Sequence, residues 1–150
     1  MAIHTLDKSN TADISLIEEA VKATAKSYAP YSNFHVGAAV LMADGTVYSA
    51  ANQENSAYPA SVCAERVTLL YATANSASYP VAIAIAAKTG GSQTTNVVSP
   101  CGECRQVLRE MELRYKHNIR ILMCGKSSVM VADSAADLLP CDFNTDNLHP

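Results

Sequence analysis

The sequence predicts a three-layer α/β domain, a five-stranded mixed sheet between helices, with its last two strands antiparallel. Three observations carry that expectation. Helical and strand patterns alternate along the chain in the order α-β-β-α-β-α-β-β-α. The run VAIAIAAK at 81–88 is apolar throughout, as a central strand covered on both faces requires. Only residues 125–128 separate the last two strand patterns, whereas a parallel pair needs a crossover of roughly a dozen residues. Those strands are therefore antiparallel neighbours, or not neighbours at all.

Each element follows from local pattern. Residues 1–12 carry no usable motif and read as a loose arm before a single domain over 13–150. Asp13 is placed to cap a first helix, with Ile14, Ile17, Val21 and Ala25 on one face. Pro30 disfavours helix at Ala29, so this helix should end near Tyr28. HVGAAVLMADGTVYSAANQEN reads as two strands joined by a tight turn at Asp44-Gly45. Residues 61–75 have helical spacing in Val67, Leu70, Tyr71 and Ala74, and TGGSQTTNVVS reads as a loop. From Cys101 to about Tyr115 the chain is again helical, with Val107, Leu108 and Met111 sharing a face. IRILMCG and VMVAD are the last two strands. Ser134 is placed to cap a short helix that Pro140 ends.

Composition narrows the function. The formal charge is −3, and the eleven Lys and Arg are scattered, so the clustered positive footprint of a polynucleotide binder is missing. No apolar stretch reaches the length of a membrane span. The start, MAIHTLDKSN, lacks the charged and apolar regions of a secretory signal. Five cysteines without scaffold spacing point to a reduced, cytoplasmic setting, where cysteine clusters more often mean metal or catalysis.

The chemistry gathers around three of those cysteines. Cys63 opens the second large helix, and Cys101 and Cys104 open the third. Each helix follows a strand, so both N-termini can open at one sheet edge, where unpaired N–H groups favour thiolates. Three protein ligands with an open position is the pattern of a catalytic zinc; four closed ligands is that of a structural one. Cys124 and Cys141 are available as a fourth ligand, and the Cys101–Cys104 pair alone also fits a redox motif. The four histidines match no ligand spacing. Glu65, two residues after Cys63, can sit beside a metal without ligating it and move a proton between water and substrate. Three thiolates leave zinc with a net charge near −1, so something must draw charge off the sulfurs. Arg66 and Arg105 are the candidates for that tuning. Arg66→Ala is then expected to lower turnover more than zinc content.

These residues carry a resemblance. Cys-Ala-Glu at 63–65 with Pro-Cys-Gly-Glu-Cys at 100–104 resembles the zinc site of the cytidine deaminase family. SYAPYSNFHVGAAVL, NQENSAYP, SPCGECRQVL and DLLPCDF extend the likeness from about residue 18 to residue 148. The resemblance implies a cytidine deaminase-like fold and hydrolytic deamination of cytidine and deoxycytidine in pyrimidine salvage. Cys63, Cys101 and Cys104 would bind one Zn2+ per subunit. A zinc-bound hydroxide would attack the amine-bearing ring carbon while Glu65 shuttles protons. Asn52 and Glu54 would bind the ribose hydroxyls, Phe34 would line the base pocket, and Ala64 would belong to the substrate contacts. Phe143 would reach a neighbouring site in a homotetramer. Glu54 suits a neutral nucleoside, since a 5′-phosphate would meet a carboxylate there. The short link at 125–128 also leaves no room for the helix found in polynucleotide deaminases. Glu103, inside the Cys-x-x-Cys where relatives carry a small residue, and Pro59 depart from the family pattern.

Overall fold

The computed structural model describes residues 3–6 and 10–149. Its elements are β1 (Ile3–Thr5), α1 (Thr11–Ala23), β2 (His35–Met42), β3 (Val47–Ala51), α2 (Ala64–Asn75), β4 (Pro80–Thr89), β5 (Ser92–Gln93), α3 (Gly102–Tyr115), β6 (Arg120–Cys124), β7 (Val129–Ala132) and α4 (Thr145–Leu148). The strand order is β1-β7-β6-β4-β2-β3, with β5 paired to β4. Only β4–β6 is parallel among these pairings. The expected five strands are β2, β3, β4, β6 and β7, and β6 and β7 are antiparallel neighbours.

The sheet has two strands more than expected. Ile3–Thr5 of the supposed loose arm pairs with the outer edge of β7, Ile3 opposite Ala132 and Thr5 opposite Met130. An open strand edge presents unpaired N–H and C=O groups, and three residues satisfy them. A strand that short has no period for a sequence to display. β5 is a two-residue return against the end of β4. Residues 1, 2 and 7–9 of the arm lie outside the described residues.

β4 explains the layers. Its odd positions, Ile83 and Ile85, join Leu69, Ala72, Leu108 and Met111 in a core under α2 and α3. Its even positions, Ala82, Ala84 and Ala86, join Leu16 and Ala20 in a second core under α1. The alanine face lets α1 lie close to the sheet. At Gly37 of β2 an added Cβ would come within 2.1 Å of the Ala20 carbonyl oxygen and 2.7 Å of the Thr24 nitrogen. Both are backbone atoms, so Gly37→Ala must push α1 off the sheet. It is expected to cost about 3 kcal/mol or more, read as a lowered urea midpoint.

Two helix faces differ from expectation. Asn10, not Asp13, caps α1, accepting from the Asp13 nitrogen at 3.2 Å. Asp13 is buried, and Arg120 of β6 donates to its two oxygens at 2.9 and 2.7 Å. The buried apolar residues of α1 are Leu16, Ala20 and Ala23; Ile17 and Val21 lie at the edge, Ile14 and Ala25 are exposed, and the α-helix ends at Ala23 before one 3₁₀ turn. In α2 the buried face is Ala64, Glu65, Thr68, Leu69 and Ala72, while Leu70 and Tyr71 are 53% and 59% exposed. This helix is apolar on two sides, and small Thr68 and Ala72 pack where bulk does not fit. The α3 face is as expected, with Leu108 and Met111 buried and Val107 packed at its edge. Ser134 caps a 3₁₀ turn, Ala135–Leu138, accepting from the Ala136 nitrogen. No helix among the described residues is long and apolar enough to cross a membrane.

Candidate active site

α2 and α3 share one face of the sheet, and their N-termini meet. Cys63 is the N-cap of α2 and Cys101 the N-cap of α3. Both have extended backbone and neither thiol caps its helix, so the side chains are free to converge. Cys63 Sγ lies 3.7 Å from Cys101 Sγ, and Cys101 Sγ lies 3.5 Å from Cys104 Sγ. All three sulfurs fall within 4.8 Å of one another. Zinc–sulfur bonds of about 2.3 Å in a tetrahedron place sulfurs about 3.8 Å apart, so the three thiols fit zinc with one position left over. Cys124 is buried in β6, its thiol pushed up to about 12 by burial, and Cys141 is exposed in the tail. Neither joins the cluster among the described residues.

The cluster distributes charge unevenly. Hydrogen bonding from Cys104, then from Arg66 and Cys101, pulls the Cys63 thiol down to about 5 against the effect of burial. Cys104, fully buried, moves up because its thiol hydrogen-bonds to Cys63 and burial disfavours its charged form. One turn of α2 carries Ala64, Glu65 and Arg66. Ala64 is fully buried, and the first-turn N–H groups have no intrahelical partner. Glu65 is 4% exposed, and burial raises its carboxyl to about 7, with the Cys63 charge adding to the rise. Arg66 Nη2 donates to Cys63 Sγ at 3.9 Å and forms an ion pair with Glu103 Oε2 at 2.9 Å. Arg105 differs from its expected role. Its guanidinium donates to the carbonyls of Pro100 and Leu138, both at 2.9 Å, rather than to a sulfur. It ties the start of α3 to the turn after β7.

A second cluster forms beside the first. Gln53 pairs with Val62 through two backbone bonds, which lays residues 52–54 alongside the start of α2. Asn52 Oδ1 accepts from Ser27 Oγ and the Val36 nitrogen, and its Nδ2 donates to the Phe34 carbonyl. Glu54 accepts from the Tyr31 and Ser32 nitrogens and from the Ser32 hydroxyl, and these bonds hold its carboxyl below its usual range. Ser32 Oγ in turn accepts from the Phe34 nitrogen at 3.0 Å. Tyr31, Ser32, Glu54, Tyr58 and Ser61 line a cavity of about 320 Å³. Phe34 is 37% exposed and Phe143 is 60% exposed. The tail bearing Phe143 is tied to α3: Gln106 donates to the Phe143 carbonyl, and Arg109 pairs with Asp142 at 2.7 Å.

A family model for the cytidine and deoxycytidylate deaminase zinc-binding region matches residues 10–117. This chain belongs to that deaminase family. A cytidine deaminase of Halalkalibacterium halodurans is 47% identical over 134 residues, covering 89% of this chain and 96% of the relative. One of Sporosarcina psychrophila is 38% identical over 133 residues, covering 89% and 92%. Among solved structures, cytidine deaminase from Burkholderia pseudomallei superposes with a TM-score of 0.76 at 40% identity, covering 87% of this chain and 98% of that one.

Within this deaminase domain the sequence pointed to the three cysteines and Glu65, and the fold brings them together. It also pointed to Phe34, Asn52 and Glu54, which contact one another through the segment 31–36. It missed Ser32, whose hydroxyl links Glu54 to Phe34. It missed the partner of Glu103 as well. An acid one position from a ligand and an arginine three positions after another could have suggested that pair, had the facing of the two helix ends been known.

Proposed function

We propose that this chain, over a single domain at 13–150, is a zinc-dependent hydrolytic deaminase of cytidine and deoxycytidine, yielding uridine and deoxyuridine plus ammonia. The observation that carries the reading is the three-sulfur cluster with buried Glu65 beside it. Cys63, Cys101 and Cys104 would hold the zinc, which would supply Lewis-acid activation of water. Glu65 would carry two protons from the attacking water in turn, the first to the ring nitrogen and the second to the amine, which leaves as ammonia while the oxygen stays on the ring carbon. Burial favours the neutral form of this carboxyl, so a proton it takes up is held inside the site until it is passed on. The N–H groups at Ala64 and its neighbours are available to substrate oxygen, and Phe34 to the base. Asn52 keeps one N–H beyond its three internal bonds, and Glu54 keeps acceptor capacity, so both have something left for ribose hydroxyls.

The remaining expectations belong to this proposal. The setting is cytoplasmic pyrimidine salvage, supported by five cysteines with no disulfide among the described residues. The assembly is a homotetramer, supported by the exposed apolar side chains of Leu70, Tyr71 and Phe143, with Phe143 reaching a neighbouring site. The substrate is a free nucleoside, with no nucleic acid and no membrane as partner.

The direct test is the ultraviolet absorbance of cytidine mixed with zinc-loaded protein. Loss of the cytidine band supports the reading, and an unchanged band at one zinc per chain refutes it. Ser32→Ala removes the hydroxyl between Glu54 and Phe34. It is expected to raise KM for cytidine roughly five-fold, for a lost hydrogen bond of about 1 kcal/mol, with kcat within two-fold. Steady-state kinetics on cytidine and deoxycytidine check this.

A further inference from the structure

Glu103 puts a negative charge beside the three-cysteine cluster, and its side chain is 74% exposed. Such a residue looks like a burden on the metal. Its geometry says otherwise. Arg66 is on the first turn of α2, and its side chain is only 22% exposed. Arg66 Nε is buried and has no hydrogen-bond partner. A buried, unpaired donor gains by swinging out to water. Two contacts of Nη2 oppose that swing: a hydrogen bond to Cys63 Sγ at 3.9 Å and an ion pair with Glu103 Oε2 at 2.9 Å. The second reaches Arg66 from the facing helix, so an acceptor at position 103 holds the guanidinium from outside α2.

We propose that Glu103 is a positioning residue that clamps the Arg66 guanidinium across the two ligand-bearing helix ends and holds it against the Cys63 sulfur. The clamp links the first turn of α3 to the first turn of α2 without touching substrate. Arg66 then draws charge off Cys63, which makes the bound zinc a better Lewis acid. Exposure of Glu103 keeps its own charge largely screened by solvent, so restraint of the arginine outweighs repulsion of the thiolates. This rests on the deaminase reading only for the kinetic readout.

The test uses Glu103→Ala, Glu103→Gln and Arg66→Ala in the full chain, each loaded with zinc or with cobalt. Glu103→Ala is expected to lower kcat about 10-fold with KM within two-fold. In the cobalt form its thiolate-to-metal absorption band should shift the same way as in Arg66→Ala. Glu103→Gln keeps an acceptor for Arg66 and should restore the wild-type band and most of kcat. Glu103→Ala placed on Arg66→Ala should add nothing, because the clamp has lost its object. A band unmoved by Glu103→Ala overturns the clamp whatever the turnover. So does a Glu103→Ala enzyme as fast as wild type or faster. If wild-type protein fails to deaminate cytidine, the deaminase reading falls, and the cobalt band still decides the clamp.

Discussion

Glu65→Gln is expected to remove turnover while leaving the metal in place. The carboxyl is 4% exposed in the first turn of α2, where Gln has nearly the same shape. Only the capacity to take up and release a proton is lost, and that capacity is worth about 10²–10⁴-fold in rate. Zinc should stay at one per chain, since the ligands are the three sulfurs. The substitution has a second, separable signature. Burial raises the Glu65 carboxyl from 4.5 to about 7 in the metal-free site. A raised acid is favoured in its neutral form by the fold. Its ionisation therefore costs stability that grows as pH climbs from 4.5 to about 7 and then levels off. Glu65→Gln removes that contribution. Chelated wild type and chelated variant, melted across that window, should diverge in favour of the variant as pH rises. A variant that loses zinc along with activity would make Glu65 part of the metal's support rather than the proton carrier.

Cys104→Ser should have the broadest effect of any single change. Cys104 is fully buried between the two helix ends, and Cys101 Sγ lies 3.5 Å from its sulfur. Zinc content should fall from one per chain to near zero, and turnover with it. Zinc at a thousand times its dissociation constant stabilises the folded state by about 4 kcal/mol. Adding chelator should therefore lower the melting temperature of wild type and leave Cys104→Ser unmoved. Cys141→Ser is the control. Cys141 is exposed and outside the sulfur cluster, so zinc and turnover should persist. Zinc loss in that variant would revive the four-sulfur structural site.

The amino-acid sequence by itself pointed to the cluster that the two helix starts bring together. Cys63, Glu65, Cys101 and Cys104 were legible because their spacing ties each to a helix start, and a helix start has a known direction and charge. The hairpin at Asp44-Gly45 was legible because few residues suit a tight reversal; the Gly45 nitrogen closes a turn onto the Met42 carbonyl, Gly45 adopts φ 89°, and Asp44 accepts from the Thr46 nitrogen. The short link at 125–128 excluded a parallel β6–β7 pair, and the structure makes the two strands antiparallel neighbours. Tertiary structure decided the rest. The buried face of α2 passes through Thr68 and Leu69 rather than Leu70 and Tyr71, because a helix apolar on two sides is oriented by what it packs against. The strand at Ile3–Thr5 exists because β7 has an edge to fill. Arg105 went to two carbonyls, while Arg66 found both a sulfur and the carboxylate of Glu103. Partner choice for a long charged side chain depends on which groups lie within a few ångströms. Those groups come from residues 37 positions away, as Glu103 does from Arg66, and only the packing of α2 beside α3 brings them within reach.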